Sequence, residues 1–194
     1  MTESSGTKKI NVAVFISGRG SNLKNLIKSS KKINSKFKIS LIISNNSKAL
    51  GLKLAKKFNI EKKIVNFNKV KLIEKNLLFT LKKSKISIIC LAGFMRILSK
   101  NFIRKFNGKI LNIHPSLLPK YKGLNTHSRA IQNKEKYTGC TVHFVNSKLD
   151  SGRIVLQKKI KVFKGDTPKS LASRVLIQEH VLYPKALNKI ISNL

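Results

Sequence analysis

The stretch GKILNIHPSLLPKYKG, from Gly108 to Gly123, decides how the rest of the chain is interpreted. Its apolar run from Ile110 to Ile113 predicts a buried strand. Asn112 and His114 are two residues apart, so in a strand their side chains project from the same face. Pro115 then ends the strand, because proline cannot donate a ladder hydrogen bond. The sequence therefore predicts an amide and an imidazole side by side at a strand end.

Ligands of open α/β sheets bind outside the carboxyl ends of the strands. An amide and an imidazole at that place match an oxyanion donor and a general acid or base. The same two residues also suit a strand end that they merely cap, without any chemistry. Residue spacing alone does not separate these two interpretations.

Strand-like and helix-like segments alternate along the chain, which is typical of a parallel sheet with helices on both faces. The continuous apolar runs 9–17 and 86–92 predict buried strands, and the spacing over 70–83 predicts a helix. Segments 137–145 and 153–163 fit an antiparallel hairpin. We therefore predict an α/β, Rossmann-like fold with a mostly parallel twisted sheet of about seven strands and an antiparallel strand toward the C-terminus. We expect one domain over residues 1–194, with residues 1–8 as a disordered tail.

The last predicted helix opens near Asp166, which we expect to be its N-cap, and Pro168 stands just inside it. Helical spacing continues to about Tyr183. Pro184 is expected to kink or end the helix there, because proline lacks the backbone donor that a helix interior needs.

The sequence SGRGSN, from Ser17 to Asn22, lies between the first predicted strand and a predicted helix. A glycine turn leading into a helix N-terminus can hold an anion, because free backbone N–H groups and the helix dipole both favour negative charge. Leu23 occupies the place of the third glycine of a dinucleotide fingerprint, and no Walker lysine follows. The loop therefore favours a single phosphate monoester held by Gly20, Ser21 and Asn22. That choice is among anion sites only; from these residues alone, a plain turn with Ser21 as N-cap is the preferred interpretation.

The composition is strongly basic, with 41 Lys and Arg against 7 Asp and Glu and a net charge of +34 in 194 residues. The lysines are spread along the whole chain, and no arginine-rich helix or RNA-binding aromatic motif is present, so specific nucleic-acid recognition is not favoured.

No apolar run approaches the ~20 residues of a membrane span. The cysteines, Cys90 and Cys140, lie in strand-like runs and predict buried reduced thiols. We therefore expect a cytoplasmic protein.

The few acidic residues fall into two groups. Glu61, Glu74 and Glu135 stand beside lysines and are expected to be solvated surface charges. Asp150 lies in a Gly/Ser loop after a strand, a usual place for a functional side chain. A carboxylate there would orient His114 and raise its pKa if the two side chains met.

Two other histidines have weaker signals. His127, at the start of a predicted helix, is given no role. His143 alternates with Thr141 within a predicted strand. A buried, hydrogen-bonded histidine is the preferred interpretation there, with a supporting role near the site left open.

The motifs SGRGSN, LAGFMRIL, LNIHPSLLPKYKG, HFV, LDSG and QEH occur in this order. Together they closely resemble the glycinamide ribonucleotide formyltransferase family of folate-dependent purine synthesis, over about Lys9 to Lys185. The resemblance implies a catalytic triad of Asn112, His114 and Asp150. It also implies direct attack of the substrate amine on the formyl group of 10-formyltetrahydrofolate, through an oxyanion that Asn112 and His114 stabilise, with no metal.

The resemblance also assigns two binding sites. The ribonucleotide site consists of Gly20, Ser21, Asn22, Leu23, Lys24, Gln178 and Glu179. The folate site consists of Lys69, Met95, Arg96, Ile97, Leu98, Asn112, Asn146, Ser147, Lys148, Leu149 and Asp150. Lys69 or Lys71 stands where the family often has a folate-binding arginine, and a lysine cannot make the bidentate contact of an arginine.

The implied partners are small-molecule substrates, with no specific nucleic acid and no membrane, and the implied state is a monomer or weak homodimer. One rival is an enzyme that formylates methionyl-tRNA, which the charge of +34 would suit. Formyltetrahydrofolate hydrolase shares the triad but usually has an additional N-terminal domain. A non-enzymatic basic nucleic-acid-binding protein is the alternative from another class, and it depends on charge alone.

Overall fold

The computed structural model describes residues 9–66 and 70–193. Strands and helices alternate along these residues in the order β1 Ile10–Ile16, α1 Ser21–Ser30, β2 Phe37–Ser44, α2 Leu52–Phe58, β3 Glu61–Ile64, α3 Val70–Lys83, β4 Ile88–Leu91, α4 Lys100–Lys105, β5 Lys109–His114, α5 Thr126–Gln132, β6 Tyr137–Phe144, β7 Ile154–Lys161 and α6 Pro168–Ile191. The predicted tail 1–8 lies outside the described residues.

All seven strands join one sheet, in the spatial order β3-β2-β1-β4-β5-β6-β7. The pairings from β3 through β5 are parallel, whereas β5 with β6 and β6 with β7 are antiparallel. The predicted fold class is therefore confirmed, including the antiparallel end of the sheet.

The sheet separates two apolar cores, and β1 shows why its sequence is a continuous apolar run. Val12, Val14 and Ile16 pack into the core on one face, together with residues of α1 and α6. Ala13 and Phe15 face the other core, with residues of α3 and α4. Because successive side chains of a strand point to opposite faces, a strand covered on both sides needs apolar residues at every position.

The direction of the chain across the sheet reverses between β1 and β4, since β2 and β3 lie on one side of β1 and the later strands on the other. The loops that follow β1 and β4 meet at this point. The Ser17 amide donates to the Gly93 carbonyl at 3.1 Å, and the Met95 amide donates to the Ser17 hydroxyl at 2.7 Å. A reversal of this kind opens a crevice at the carboxyl ends of the strands, where ligands bind.

The predicted end of the last helix near Tyr183 is wrong, because α6 continues through Pro184 to Ile191. Tyr183, just before the proline, and Ala186, two residues after it, are fully buried. The Tyr183 hydroxyl also donates to the carbonyls of Leu91 and Leu111, at 3.0 Å each. Packing against the sheet thus outweighs the local cost of a proline inside the helix.

The predicted N-cap of α6 is also shifted by one residue. Thr167 is the cap, and its side chain accepts a hydrogen bond from the Ser170 amide. Asp166 instead accepts from the Phe163 amide at 2.8 Å and pairs with Arg174. Its carboxylate therefore joins the turn before α6 to the helix.

Both cysteines are free and buried, as predicted. Burial raises the pKa of each thiol, Cys90 and Cys140, to about 12. Over residues 9–66 and 70–193, none of the helices has the length and apolar character that a bilayer crossing requires.

Candidate active site

Four polar side chains from β5, β6 and the loop after β6 meet beyond the end of β5. The antiparallel pairing of β5 with β6 sets Asn112 opposite His143 and His114 opposite Thr141. The Asn112 Nδ2 lies 3.2 Å from His143 Nε2 and 3.4 Å from Asp150 Oδ1. The Nδ1 of His114 lies 3.3 Å from the Asp150 Oδ2. The neighbouring residues Asn112 and His114 thus meet the carboxylate of Asp150, which is 38 positions from Asn112 in the sequence.

His114 is only 5% exposed, and both of its ring nitrogens have neighbours. Its Nε2 lies 2.8 Å from the Tyr121 carbonyl oxygen, and its Nδ1 faces Asp150. Burial lowers the pKa of His114, while the Tyr121 carbonyl and the Asp150 charge oppose that effect. The net direction is downward, contrary to the rise that a carboxylate neighbour alone would give, because burial has the larger influence.

Asp150 reaches this cluster because its loop folds tightly against β6. A Cβ atom at Gly152 would lie 1.7 Å from the Phe144 carbonyl oxygen, so only glycine fits there. Asp150 itself has a φ of 44°, and its Oδ2 accepts from the Gly123 amide at 2.9 Å. Burial disfavours the charged form of this carboxyl, but contact with His143, the Gly123 amide and the charge of His114 together lower its pKa. Asp150 is thus held as a carboxylate.

His143 belongs to the cluster, which goes beyond the role that the sequence analysis preferred for it. It is 2% exposed, and its Nδ1 lies 2.8 Å from the Phe144 carbonyl, so that nitrogen holds a proton. Its Nε2 lies next to Asn112 and 3.6 Å from Asp150 Oδ1. The register of the hairpin would have revealed this placement, but the sequence alone does not give that register.

A cavity of about 810 Å³ opens over the cluster. Its wall contains most of the predicted site residues, namely Asn22, Met95, Arg96, Ile97, Leu98, Asn112, His114, Asn146, Ser147, Lys148, Leu149, Asp150 and Glu179. Met95, Ile97 and Leu149 are more than half exposed at its rim, although they are large and apolar. The cavity therefore combines a buried polar end with an apolar mouth.

Asn22, at the start of α1, joins the glycine loop to this cavity. Its Nδ2 donates to the Glu179 Oε2 at 2.7 Å, and both residues are buried in the cavity wall. Among the residues that the structure describes, none donates a hydrogen bond to the Asn22 Oδ1. Burial raises the pKa of Glu179 to about 7, although the Asn22 hydrogen bond acts in the opposite direction.

The glycine loop is shaped by a close backbone contact. Gly20 has a φ of 75°, and a Cβ there would lie 2.7 Å from the Cα of Gly51. Gly51 in turn donates its amide to the Gly18 carbonyl at 3.0 Å. This packing holds the loop so that the free N–H groups of the first turn of α1 lead into the site.

Five of the predicted site residues stand apart from the cavity wall. Leu23 is fully buried in the core, and Lys24 is exposed on α1. Gly20, Ser21 and Gln178 lie near the lining residues Asn22 and Glu179 without forming part of the wall. Lys69 lies outside the described residues, and the side chain of Lys71 is likewise not described.

Two acids that were expected to be solvated surface charges have specific partners; the prediction is wrong for Glu74, which is buried, whereas Glu135 stays partly exposed. Glu74 is 3% exposed and accepts from the backbone amide of Ser99 at 2.8 Å and from its hydroxyl, where α4 begins. Glu135 accepts from Lys120 and from the Tyr121 hydroxyl, at 2.8 Å each. The neighbouring lysines in the sequence concealed both roles, because partners from other elements decide them. Glu61 is exposed on β3, as expected.

His127, to which no role was assigned from the sequence, also faces the cavity. Its Nδ1 is buried and has no hydrogen-bond partner within residues 9–66 and 70–193. Burial, followed by the charge of His114, lowers the pKa of His127.

Among the described residues, no group of three or more His, Cys, Asp or Glu side chains is arranged to hold a metal ion.

Comparison with known proteins places these features in a family. A model of the formyl transferase family matches residues 10–187. The human trifunctional purine biosynthetic protein adenosine-3 is 46% identical over 189 residues, which cover 95% of this chain and 19% of that protein. The chain thus spans about a fifth of the length of this trifunctional relative.

Single-function relatives match over most of their length. The phosphoribosylglycinamide formyltransferase of Escherichia coli is 39% identical over 182 residues, covering 92% of this chain and 86% of that protein. The crystal structure of phosphoribosylglycinamide formyltransferase from Anaplasma phagocytophilum superposes with a TM-score of 0.91 at 42% identity, covering 96% and 88% of the two chains. The chain therefore belongs to the formyl transferase family, and within it to the phosphoribosylglycinamide formyltransferases.

Proposed function

We propose that this protein transfers the formyl group of 10-formyltetrahydrofolate to the amine of 5'-phosphoribosylglycinamide, a step of de novo purine synthesis. The observation that supports it most is the convergence of Asn112, His114 and Asp150 in a cavity that also contains Asn22 and Glu179. One cavity thus contains both the polar side chains that could stabilise an oxyanion and the residue at which the glycine loop enters α1. The names of the relatives supply the two substrates.

The reaction is an acyl transfer that forms one C–N bond and breaks another. The amine lone pair attacks the formyl carbon, and the carbonyl electron pair moves onto oxygen. Asn112 Nδ2 and, in the protonated imidazole, the Nδ1–H of His114 then donate to this oxyanion, an effect worth about 3 kcal/mol per donor. Both groups are available because their present contacts with Asp150, at 3.4 and 3.3 Å, are long and such contacts rearrange when substrate binds.

Collapse of the oxyanion restores the carbonyl and expels the folate nitrogen. The amine loses one proton, and the leaving nitrogen gains one, so the chain must move a proton across a short distance. Asp150 is placed for this, because its two oxygens lie beside Asn112 and His114. Its lowered pKa keeps it able to accept the proton, and it also stabilises the charge on His114.

The ribonucleotide is proposed to bind with its phosphate at Gly20, Ser21 and Asn22. Backbone N–H groups of the first turn of α1 and the helix dipole would face the phosphate. Glu179, held by Asn22, would accept from the ribose hydroxyls. Lys24 and Gln178 flank these groups, and Leu23 would contribute its backbone only, since its side chain is fully buried.

The folate is proposed to enter at the apolar mouth of the cavity. Met95, Ile97 and Leu149 offer exposed apolar surface that a flat ring would cover. Asn146 and the loop from Ser147 to Asp150, with Leu98, complete this wall. The charges of Arg96 and Lys148 suit the carboxylates of the folate tail, and Lys69 remains a proposed contact.

We further propose that the protein works on small molecules as a monomer or weak homodimer in the cytoplasm. Two buried free thiols suit a reducing compartment. The charge of +34 favours the encounter with anionic substrates without requiring a nucleic-acid partner.

A turnover assay tests the proposal. Purified protein is given 10-formyltetrahydrofolate with either phosphoribosylglycinamide or methionyl-tRNA, and formation of each formylated product is measured. A third reaction without any acceptor measures hydrolysis to formate. Formylation of phosphoribosylglycinamide alone is the expected result. Formyl-methionyl-tRNA as the main product, or formate release at the same rate without an acceptor, would contradict it.

A further inference from the structure

The segment between Pro115 and Asn125 covers one side of His114. The imidazole faces two hydrogen-bond acceptors, the Tyr121 carbonyl at Nε2 (2.8 Å) and the Asp150 carboxylate at Nδ1 (3.3 Å). A carbonyl oxygen only accepts, so the Nε2 of His114 must hold a proton. The neutral ring is therefore the Nε2–H tautomer, and the second proton of the charged ring enters at Nδ1.

The nitrogen that faces the reacting atoms is thus determined by a backbone carbonyl. With its proton held by Tyr121, Nε2 is turned away from Asp150. Nδ1 is left as the atom that gains or donates a proton beside the carboxylate. A ring turned the other way would present a different nitrogen, at a different position, to the oxyanion.

Tyr121 is unusually well held for a residue in a loop. Its φ of 55° lies in the left-handed region, which a bulky residue seldom adopts. Its hydroxyl donates to the Glu135 Oε1 at 2.8 Å, and the same oxygen accepts from Lys120. The guanidinium of Arg129 stands 5.1 Å from the centre of the Tyr121 ring. Side-chain contacts from α5 and from the residues after it therefore compensate for the cost of the backbone conformation.

The neighbouring chain is held by the same helix and by the catalytic loop. Arg129 Nη1 donates to the Lys122 carbonyl at 2.7 Å, and the Gly123 amide donates to Asp150 at 2.9 Å. Displacement of Tyr121 would thus move the carbonyl on one side of His114 while the carboxylate on the other side stayed in place.

We propose that Tyr121 is a positioning residue for His114: its carbonyl holds the Nε2 proton, and its hydroxyl, bound to Glu135, keeps that carbonyl in place. The expected loss of turnover rests on the proposed function, in which His114 acts on the reacting atoms. The expected tautomer and pKa of His114 do not rest on that function.

Other charged or titratable groups around His114 need to be distinguished from this effect. Asp150 and His143 face it from the loop after β6 and from β6, and Arg129 and His127 face it from α5. Asp150 raises the pKa of His114, whereas the positive charges of His143 and Arg129 lower it. The variants below leave all four of these residues unchanged.

The test uses protein labelled with ¹⁵N-histidine, whose two ring nitrogens report tautomer and protonation separately by NMR. Tyr121→Phe removes the hydroxyl, and Glu135→Ala removes its acceptor. Tyr137→Phe is the matched control, because Tyr137 is a half-exposed tyrosine on β6 outside the cavity wall. Circular dichroism verifies that each variant folds, and kcat and KM are measured alongside.

In the unaltered protein, neutral His114 is expected to be the Nε2–H tautomer. In Tyr121→Phe and Glu135→Ala, weakening of the Tyr121 contact is expected to lower the pKa of His114 by about half a unit. We also expect kcat to fall about tenfold, because a small displacement of a catalytic group is costly. The KM for the ribonucleotide stays unchanged, and the double variant loses no more than the worse single variant, since both act through one hydrogen bond.

An Nδ1–H tautomer in the unaltered protein would overturn the proposal, and this measurement needs no variant to fold. An unchanged pKa and tautomer in both variants would also overturn it, as would an equal shift in Tyr137→Phe. A shifted pKa with unchanged kcat would support the positioning of the ring, while contradicting the role of His114 in the proposed function.

Discussion

Two cavities of similar volume, about 810 Å³ and 760 Å³, lie at opposite edges of the same sheet. The first lies beyond the carboxyl ends of β4 and β5. The second lies near the amino ends of β1 and β2 and the last turns of α3, lined by Asn11, Lys38, Ser40, Glu61, Lys63, Asn76, Phe79, Thr80, Lys83 and Ser84. Size therefore does not distinguish them.

They differ in what is buried at their walls. In the first, the buried side chains of His114 and Asp150 lie 3.3 Å apart, and Asn112 donates to Asp150. In the second, the lysines are exposed, and Lys63 donates to the hydroxyl of the half-buried Thr80 at 2.7 Å. An exposed ammonium is stabilised by water, whereas buried groups of opposite character perturb one another. The comparison teaches that convergence of buried polar groups, and not the volume of a cleft, marks the site.

Removal of the imidazole from the first cavity should have the largest effect. His114→Ala is expected to lower kcat about 1,000-fold, because a donor to the oxyanion and the proton partner of Asp150 are lost together. Steady-state formyl transfer measures it, and circular dichroism should show an unchanged fold. A kcat close to that of the unaltered enzyme would show that His114 does not act in the reaction, and the first cavity would no longer stand out as the active site.

Asp150→Asn comes next. The amide cannot accept a proton or stabilise a charged His114, so kcat should fall about 100-fold while the KM for each substrate changes little. Separate determination of kcat and KM decides the matter. A rise in KM at constant kcat would show that Asp150 serves binding instead of the chemical step.

Glu179→Gln tests whether burial in the first cavity raises the pKa of Glu179, by its effect on the free energy of unfolding. The pKa of Glu179 is about 7 when folded, against an ordinary value of 4.5, so the folded protein binds more protons between these values. Its stability therefore falls as pH rises from 4.5 to 7, and the loss is complete above 7. The amide of the variant does not titrate, so the free energy of unfolding of the variant, relative to that of the unaltered protein, should rise by about 3 kcal/mol between pH 4 and pH 8.

Urea unfolding at several pH values, without substrate, measures this difference. Lys63→Ala, in the second cavity, is the control whose stability difference should not depend on pH in this window. A difference between Glu179→Gln and the unaltered protein that stays constant from pH 4 to pH 8 would contradict the raised pKa.

Gly20→Val should raise the KM for the ribonucleotide about tenfold, because its Cβ would press on Gly51 and its φ of 75° disfavours a β-branched residue. Gly18→Ala is the matched control, since a Cβ at Gly18 meets nothing within 4 Å. An unchanged KM in Gly20→Val would move the phosphate site away from this loop.

The smallest effect is expected in the second cavity. Lys63→Ala should leave kcat/KM within about twofold of its original value, because one exposed charge among 41 basic residues adds little to the field. A larger loss would show that the second cavity contributes to turnover, and it would remove the contrast between the two edges.

Local patterns predicted much of the fold, and particular residues show why. The continuous apolar run of β1 follows from burial on both faces, and the spacing over residues 70–83 gave the bounds of α3. Asn112 and His114 share a face because a strand has a period of two. Each of these properties depends on near neighbours in the chain, so the sequence contains it.

What the tertiary structure alone decided is which side chains meet. Asn22 and Glu179 are 157 positions apart, and His143 lies beside Asn112 only through the register of β5 and β6. Pro184 stays helical because the sheet holds the residues around it. The sequence does not predict that the Tyr121 carbonyl contacts His114. Every residue has a carbonyl, and only the folded loop brings this one to the imidazole. Residue types and spacing are local properties of the sequence, whereas hydrogen-bond partners depend on how distant segments pack.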